Sequence, residues 1–131
     1  MQLQVKDDLP FTNARIVFRG SKINVENVLV DIGSAATLFA SDVVAAVQIT
    51  PQPEDQLYTI RGVGGSEVVF TRQIDGLQVG ECTVLDFEVE IAGMDYGFEI
   101  NGILGMDFLR QAGAILNLHK MTIDFVLTQS R

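Results

Sequence analysis

The sequence predicts a mostly β domain carrying one or two short helices. Three observations support this. Twelve glycines stand among many Val, Ile, Thr and Phe residues. The chain is 47% hydrophobic with only three prolines, enough to bury a core. Short apolar or alternating runs are separated by Gly and Asp turns. A length of 131 residues suits one domain better than two, so a single domain is expected over 1–131.

Residues 13–19 (NARIVFR) alternate as a strand, and Gly20-Ser21 predicts a tight turn into a second strand over 22–31. That strand, KINVENVLVD, alternates at first and then turns continuously apolar at Val28, Leu29 and Val30, as a strand does on entering a core. Residues 41–47 (SDVVAAV) form the first predicted helix, with Ser41 as its N-cap, and PQPED (51–55) is a loop. Strands over 57–60 and 67–72 flank RGVGGS (61–66), a glycine-rich hairpin tip. Further strands are predicted over 74–79, 83–91 and 98–104. MDFLRQ (106–111) is the most helical stretch of the C-terminal half, closed by Gly113, and 114–118 with 121–126 completes a last hairpin.

Charge and composition narrow the function. A net charge of −8, from 9 basic and 17 acidic residues, argues against nucleic acid or an anionic membrane as a partner. Cys82 is the one cysteine, so an intrachain disulfide and a thiolate metal cluster are excluded, and it is expected to pack as a small hydrophobe. The one histidine, His119, falls in a predicted turn without the partners that catalytic histidines need. MQLQVKDDLPF lacks the basic start and apolar stretch of a signal peptide. No run approaches the ~18 apolar residues of a membrane span. A soluble cytoplasmic domain, or such a domain cut from a longer protein, is expected.

Three motifs remain. LVDIGSA (29–35) ends an apolar strand on an acid; ordinarily such an Asp caps the amides of a turn. The glycines of RGVGGS ordinarily mark an exposed β-turn, although they also let backbone approach a ligand closely. INGILGMDFL (100–109) is ordinarily a core strand running into a helix. Each is weak alone; their order in one short chain gives them weight.

Together they resemble the retropepsin-like aspartic proteases, single-domain enzymes that work as homodimers. Leu29-Val30-Asp31-Ile32-Gly33-Ser34 is similar to the hydrophobic-hydrophobic-Asp-Thr/Ser-Gly-Ala/Ser motif at every position but one. Arg61, Gly62, Val63, Gly64, Gly65 and Ser66 resemble the glycine-rich flap, and Ile103-Leu104-Gly105 with MDFLRQAG resembles the hydrophobic-hydrophobic-Gly motif before a C-terminal helix. The resemblance implies a closed β-barrel-like acid protease fold, with a β-hairpin flap, one short C-terminal helix and half an active site per chain. It implies Asp31 as the catalytic residue and Ile32, Gly33 and Ser34 as the active-site loop. It further implies Arg61, Gly62, Val63, Gly64 and Gly65 as a substrate-binding flap, and Ile103, Leu104 and Gly105 as support beneath the site. Residues 1–10 would be an N-terminal extension or an interface strand. A peptide or protein substrate is implied, with no metal or organic cofactor.

One acid per chain suits that chemistry, because a two-fold axis brings two copies of Asp31 together and the pair then shares one proton. Gly33 keeps the loop tight, and the resemblance places the Ser34 hydroxyl on the outer oxygen of Asp31. Ile32 is the departure. The family's Thr or Ser hydroxyl hydrogen-bonds across the dimer axis, and isoleucine can neither donate nor accept. The alternative is therefore a catalytically impaired dimeric module that binds peptides or scaffolds. The carboxylate favours the enzyme, since a non-catalytic groove gains nothing from an acid facing its twin.

Overall fold

A closed ring of strands surrounds the core of the computed structural model, which describes residues 1–62, 65–94, 99–127 and 129–130. The elements run β1 (Gln4–Lys6), β2 (Leu9–Phe18), β3 (Ser21–Val30), β4 (Leu38–Ala40), α1 (Ser41–Val44), β5 (Tyr58–Gly62), β6 (Gly65–Val79) and β7 (Cys82–Ala92). They continue with β8 (Gly102–Leu104), α2 (Met106–Ala112), β9 (Ala114–Asn117), β10 (Thr122–Phe125) and β11 (Gln129–Ser130). Neighbours pair in the order β2, β3, β8, β4, β7, β6, and β6 returns to β2, closing a six-strand barrel. Closure leaves no unpaired edge in the ring. The mostly β, acid-protease-type architecture expected from the sequence is the one observed.

Alternation drives the long strands. In β2 the side chains of Ala14, Ile16 and Phe18 are buried while Asn13 and Arg15 face out. The turn after it sits one residue earlier than expected, on Arg19 and Gly20, whose φ values of 48° and 82° suit a tight hairpin. The stretches at 67–72 and 74–79 are not separate strands. They merge into β6, whose ladder with β7 runs from Phe70↔Ile91 to Val79↔Cys82. The first third of β6 instead pairs with β5, so one long strand belongs to both the barrel and a β5–β6 hairpin.

Two further boundaries differ from expectation. Ser41 is not an N-cap but the first residue of α1, and Ala40 at the cap position makes no side-chain bond. The helix is a single turn continued by a 3-10 turn over Ala45–Val47 and stopped at Gln48 (φ 66°). The strand expected over 98–104 shortens to β8. Phe98 lies outside the described residues, and Asn101 serves a different purpose taken up below.

The core fills with Phe11, Ile16, Phe39, Ile74, Leu77, Ile91, Leu104 and Phe108, all at most 2% exposed. Phe108 fixes α2 to the barrel, meeting Phe87 edge-on at 5.9 Å and Phe125 at 6.3 Å between ring centroids. Such edge-to-face pairs add about 0.5–1.5 kcal/mol beyond burial. Cys82 is wholly buried in this core, and burial pushes its thiol pKa above the ordinary value. His119 lies exposed in the turn between β9 and β10. Among the described residues, no helix is long and apolar enough to cross a membrane.

Candidate active site

A bulge in β3 sets the phase of the LVDIGS segment. The register with β2 slips between Thr12↔Val28 and Ala14↔Val25, and Asn27 adopts φ 58° to absorb the extra residue. Asn101 holds the bulge, donating its backbone N–H to the Asn27 carbonyl and its side-chain amide to the Glu26 carbonyl, each at 3.0 Å. After the bulge Val28 and Val30 point inward. The continuous apolar run is thus a phase change, and Asp31 emerges at the strand end on a partly exposed turn.

The chain then arches over the end of β8. This strand lies between β3, parallel with Leu29↔Ile103 and Val30↔Leu104, and β4, antiparallel with Leu38↔Ile103. Residues 31–37 join β3 to β4 and must cross the β8 end, where Gly105 sits. A Cβ atom there would lie 2.3 Å from the Ala36 carbonyl oxygen and 3.0 Å from that of Ser34. Only glycine permits that approach. Gly102 is similarly close-packed, with the Phe39 ring 2.8 Å from where a Cβ would be.

Hydrogen bonds tie the arch down. The Asp31 N–H donates to the Leu104 carbonyl at 3.0 Å, the Met106 N–H to the Ser34 carbonyl at 2.8 Å, and the Asp107 N–H to the Ala35 carbonyl at 3.2 Å. The Asp107 carboxylate accepts from the Thr37 hydroxyl (2.7 Å), the Thr37 N–H (3.1 Å) and the Phe108 N–H (2.7 Å). The Thr37 hydroxyl in turn accepts from the Gly105 N–H at 3.0 Å, and Thr37 is fully buried. A carboxylate in the first turn of α2 also meets the positive end of the helix dipole.

Asp31 itself is held by one local contact, in which the Gly33 N–H donates to Oδ1 at 2.9 Å. A Cβ on Gly33 would stand 3.2 Å from that same oxygen, tighter than ordinary packing, so the glycine makes room for the turn. Among the described residues, no donor meets Oδ2. The Ser34 hydroxyl donates to the Ala36 carbonyl at 2.8 Å rather than to Asp31, so within one chain it braces the arch. Ile32 projects outward, 67% exposed, at the rim of an apolar cleft of about 330 Å³ lined also by Met106, Leu109, Ala114 and Leu116.

A family model described as aspartyl protease matches residues 14–108, almost three-quarters of the chain. The chain belongs to the aspartyl protease family. A search of curated proteins finds no match. The matched segment of this aspartyl protease domain contains Asp31, the β5–β6 hairpin and Ile103-Leu104-Gly105. Asp31, Ile32, Gly33 and Ser34 form one turn, with Leu104 and Gly105 directly beneath it and Ile103 between Leu29 and Leu38.

The flap expectation lies partly outside the described residues: Val63 and Gly64 do, whereas Arg61 and Gly62 close β5 and Gly65 opens β6, with Gly62 opposite Gly65. At the base of this hairpin, Arg72 donates to Asp55 Oδ2 at 2.5 Å and to the Thr50 carbonyl at 3.2 Å. Both side chains are under 15% exposed, and the guanidinium lies 5.6 Å from the Phe70 ring centre. This pair joins the loop entering β5 to the strand leaving the hairpin.

Sequence reasoning missed Asp107, Thr37 and the Asp55–Arg72 pair. A signal for Asp107 was present, since it is an acid immediately inside a predicted helix start; its partner 70 positions away was not legible. Among the described residues, no group of three or more His, Cys, Asp or Glu side chains forms a metal site.

Proposed function

We propose that this aspartyl protease domain is an endopeptidase acting as a homodimer, with the two Asp31 carboxylates meeting on a two-fold axis. The observation that carries this reading is the presentation of Asp31. One oxygen is fixed by the Gly33 N–H, and the other meets no donor among the described residues at the exposed mouth of a braced turn. Two carboxylates brought together share one proton, because both cannot ionise at that distance. The ionised member takes a proton from a water attacking the peptide carbonyl, while the protonated member hydrogen-bonds the carbonyl oxygen. Collapse of the tetrahedral adduct breaks the C–N bond, and a proton passes to the leaving nitrogen. The β5–β6 hairpin serves as the flap over an extended peptide, which binds by strand-like main-chain bonds. Arg61, Gly62, Val63, Gly64 and Gly65 are its substrate-facing segment in this reading.

A second copy of the chain has a surface to meet. β9 is paired with β10 on one side, and among the described residues no strand covers its other edge. Ile115 on β9 is 56% exposed, and the cleft beside Ile32 opens along the same strand. β1, within the stretch 1–10, pairs with β2 on one side and among the described residues offers a second open edge, while Gln2 bridges Thr122 on β10. In this reading the interface strand is β9. Two Ile32 side chains meeting near the axis bury apolar surface, worth up to ~1.5–3 kcal/mol each, where relatives use a hydroxyl bond.

Ile32 also favours a second reading, a dimeric peptide-binding module with weakened or absent hydrolysis. One experiment separates the two: cleavage of a broad peptide library by the wild type and by Asp31→Asn, with folding and mass followed alongside. The protease reading expects cleavage by the wild type and none by a folded Asp31→Asn dimer. Equal turnover by both sinks it, and an inert wild-type dimer that still binds peptide supports the module.

A further inference from the structure

The Asp107 carboxylate receives three donors at once, and two of them come from the arch that carries Asp31. These two come from Thr37, the arch's last residue, and the third from its own helix at Phe108. The backbone of the same turn reaches the arch from the other side, through Met106 N–H to Ser34 and Asp107 N–H to Ala35. Residues 34–37 are thereby held on both their carbonyl and their donor groups by one helical turn.

We infer that Asp107 is a positioning residue for the reaction at Asp31, acting through Thr37 and the 34–36 backbone to set where the Asp31 carboxylate is presented to its twin. The inference rests on the reading of Asp31 as the reacting acid. The requirement for a carboxylate follows from counting donors. An ionised Asp has two acceptor oxygens for three donors, whereas Asn has one oxygen and turns an NH2 group toward a donor. Thr37 is equally constrained, because its hydroxyl donates to Asp107 while accepting from the Gly105 N–H. Neither residue lies in the turn that would touch substrate, so their loss should shift geometry without changing the groove. A displacement of about 1 Å at a reacting group can cost on the order of 100-fold in rate.

The test compares Asp107→Asn, Thr37→Val and Thr37→Ser with the wild type. The readouts are kcat per titrated active site, KM, and amide exchange at Asp31 and Met106, whose N–H groups bond the Leu104 and Ser34 carbonyls. Asp107→Asn and Thr37→Val are expected to lower kcat per site by roughly 10- to 100-fold with KM within ~3-fold, and to speed exchange at both amides. Thr37→Ser, which keeps the hydroxyl, should return most of the rate. A purely structural role would lower only the titratable fraction, leaving kcat per site at the wild-type value, and that result overturns the inference. So would Thr37→Ser and Thr37→Val behaving alike, which also decides the matter if Asp107→Asn does not fold. A wild type that cleaves nothing refutes the reading of Asp31 instead, and the exchange data then judge the Asp107 clamp by themselves.

Discussion

Gly105 and Ala36 are in such close contact that a single added carbon at Gly105 would lie 2.3 Å from the Ala36 carbonyl oxygen. The obstacle is backbone, so it cannot rotate away. Gly105→Ala is expected to push the 34–36 arch off the end of β8 and to destabilise the fold by ~3 kcal/mol, at the upper end of what overpacking costs. Urea denaturation checks this as a lowered midpoint. An unchanged midpoint would mean that the arch is slack.

The Asp55–Arg72 pair gives a second expectation. Removing one partner strands the other in a site where both side chains are under 15% exposed. Asp55→Asn and Arg72→Met should each cost about 2 kcal/mol, the scale of a charge-assisted bond lost from partial burial. Because the two act as one unit, the double variant should cost clearly less than the sum, with a coupling of at least ~1 kcal/mol. A double-mutant cycle from denaturation curves measures it directly, and additive losses would show that the pair is incidental to the hairpin base.

Ile32 stands where the resemblance to retropepsin-like proteases implies a Thr or Ser hydroxyl, and it is 67% exposed in the single chain. In the proposed dimer, Ile32→Thr supplies a hydroxyl able to hydrogen-bond across the axis. The expected outcome is a higher kcat/KM or a tighter dimer, read by peptidase assay and by sedimentation across a dilution series. If neither quantity moves, the interface is braced by groups other than residue 32.

Much of this was legible in the residues. Asp31 followed by Gly33, and Ile103-Leu104-Gly105 running into MDFLRQ, are local patterns whose physical demands are local, and the structure places them together. Alternation located β2, β3 and β7 to within a few residues. What the sequence did not disclose depends on distant partners. The bulge at Asn27 is held by Asn101, so the run at 28–30 looked like simple burial. The shortening of β8 has the same origin, since Asn101 is occupied with that bulge. Thr37 carries no signal in sequence and Asp107 only that of an acid at a helix start, and their pairing appears only when the arch lies on the start of α2. Ser34 was expected to face Asp31, but its hydroxyl donates to the Ala36 carbonyl.

The central claim is that each active site needs Asp31 from two chains, and subunit mixing tests it most directly. Wild-type and Asp31→Asn chains are refolded together at fixed total concentration and varying ratio, and peptidase activity is read at each ratio. The account predicts that activity follows the square of the wild-type fraction, so an equal mixture retains about one quarter of full activity. Activity falling in direct proportion, to about one half in the equal mixture, would contradict it, because each chain would then act alone, and so would about three quarters, the value for a dimer in which one Asp31 suffices.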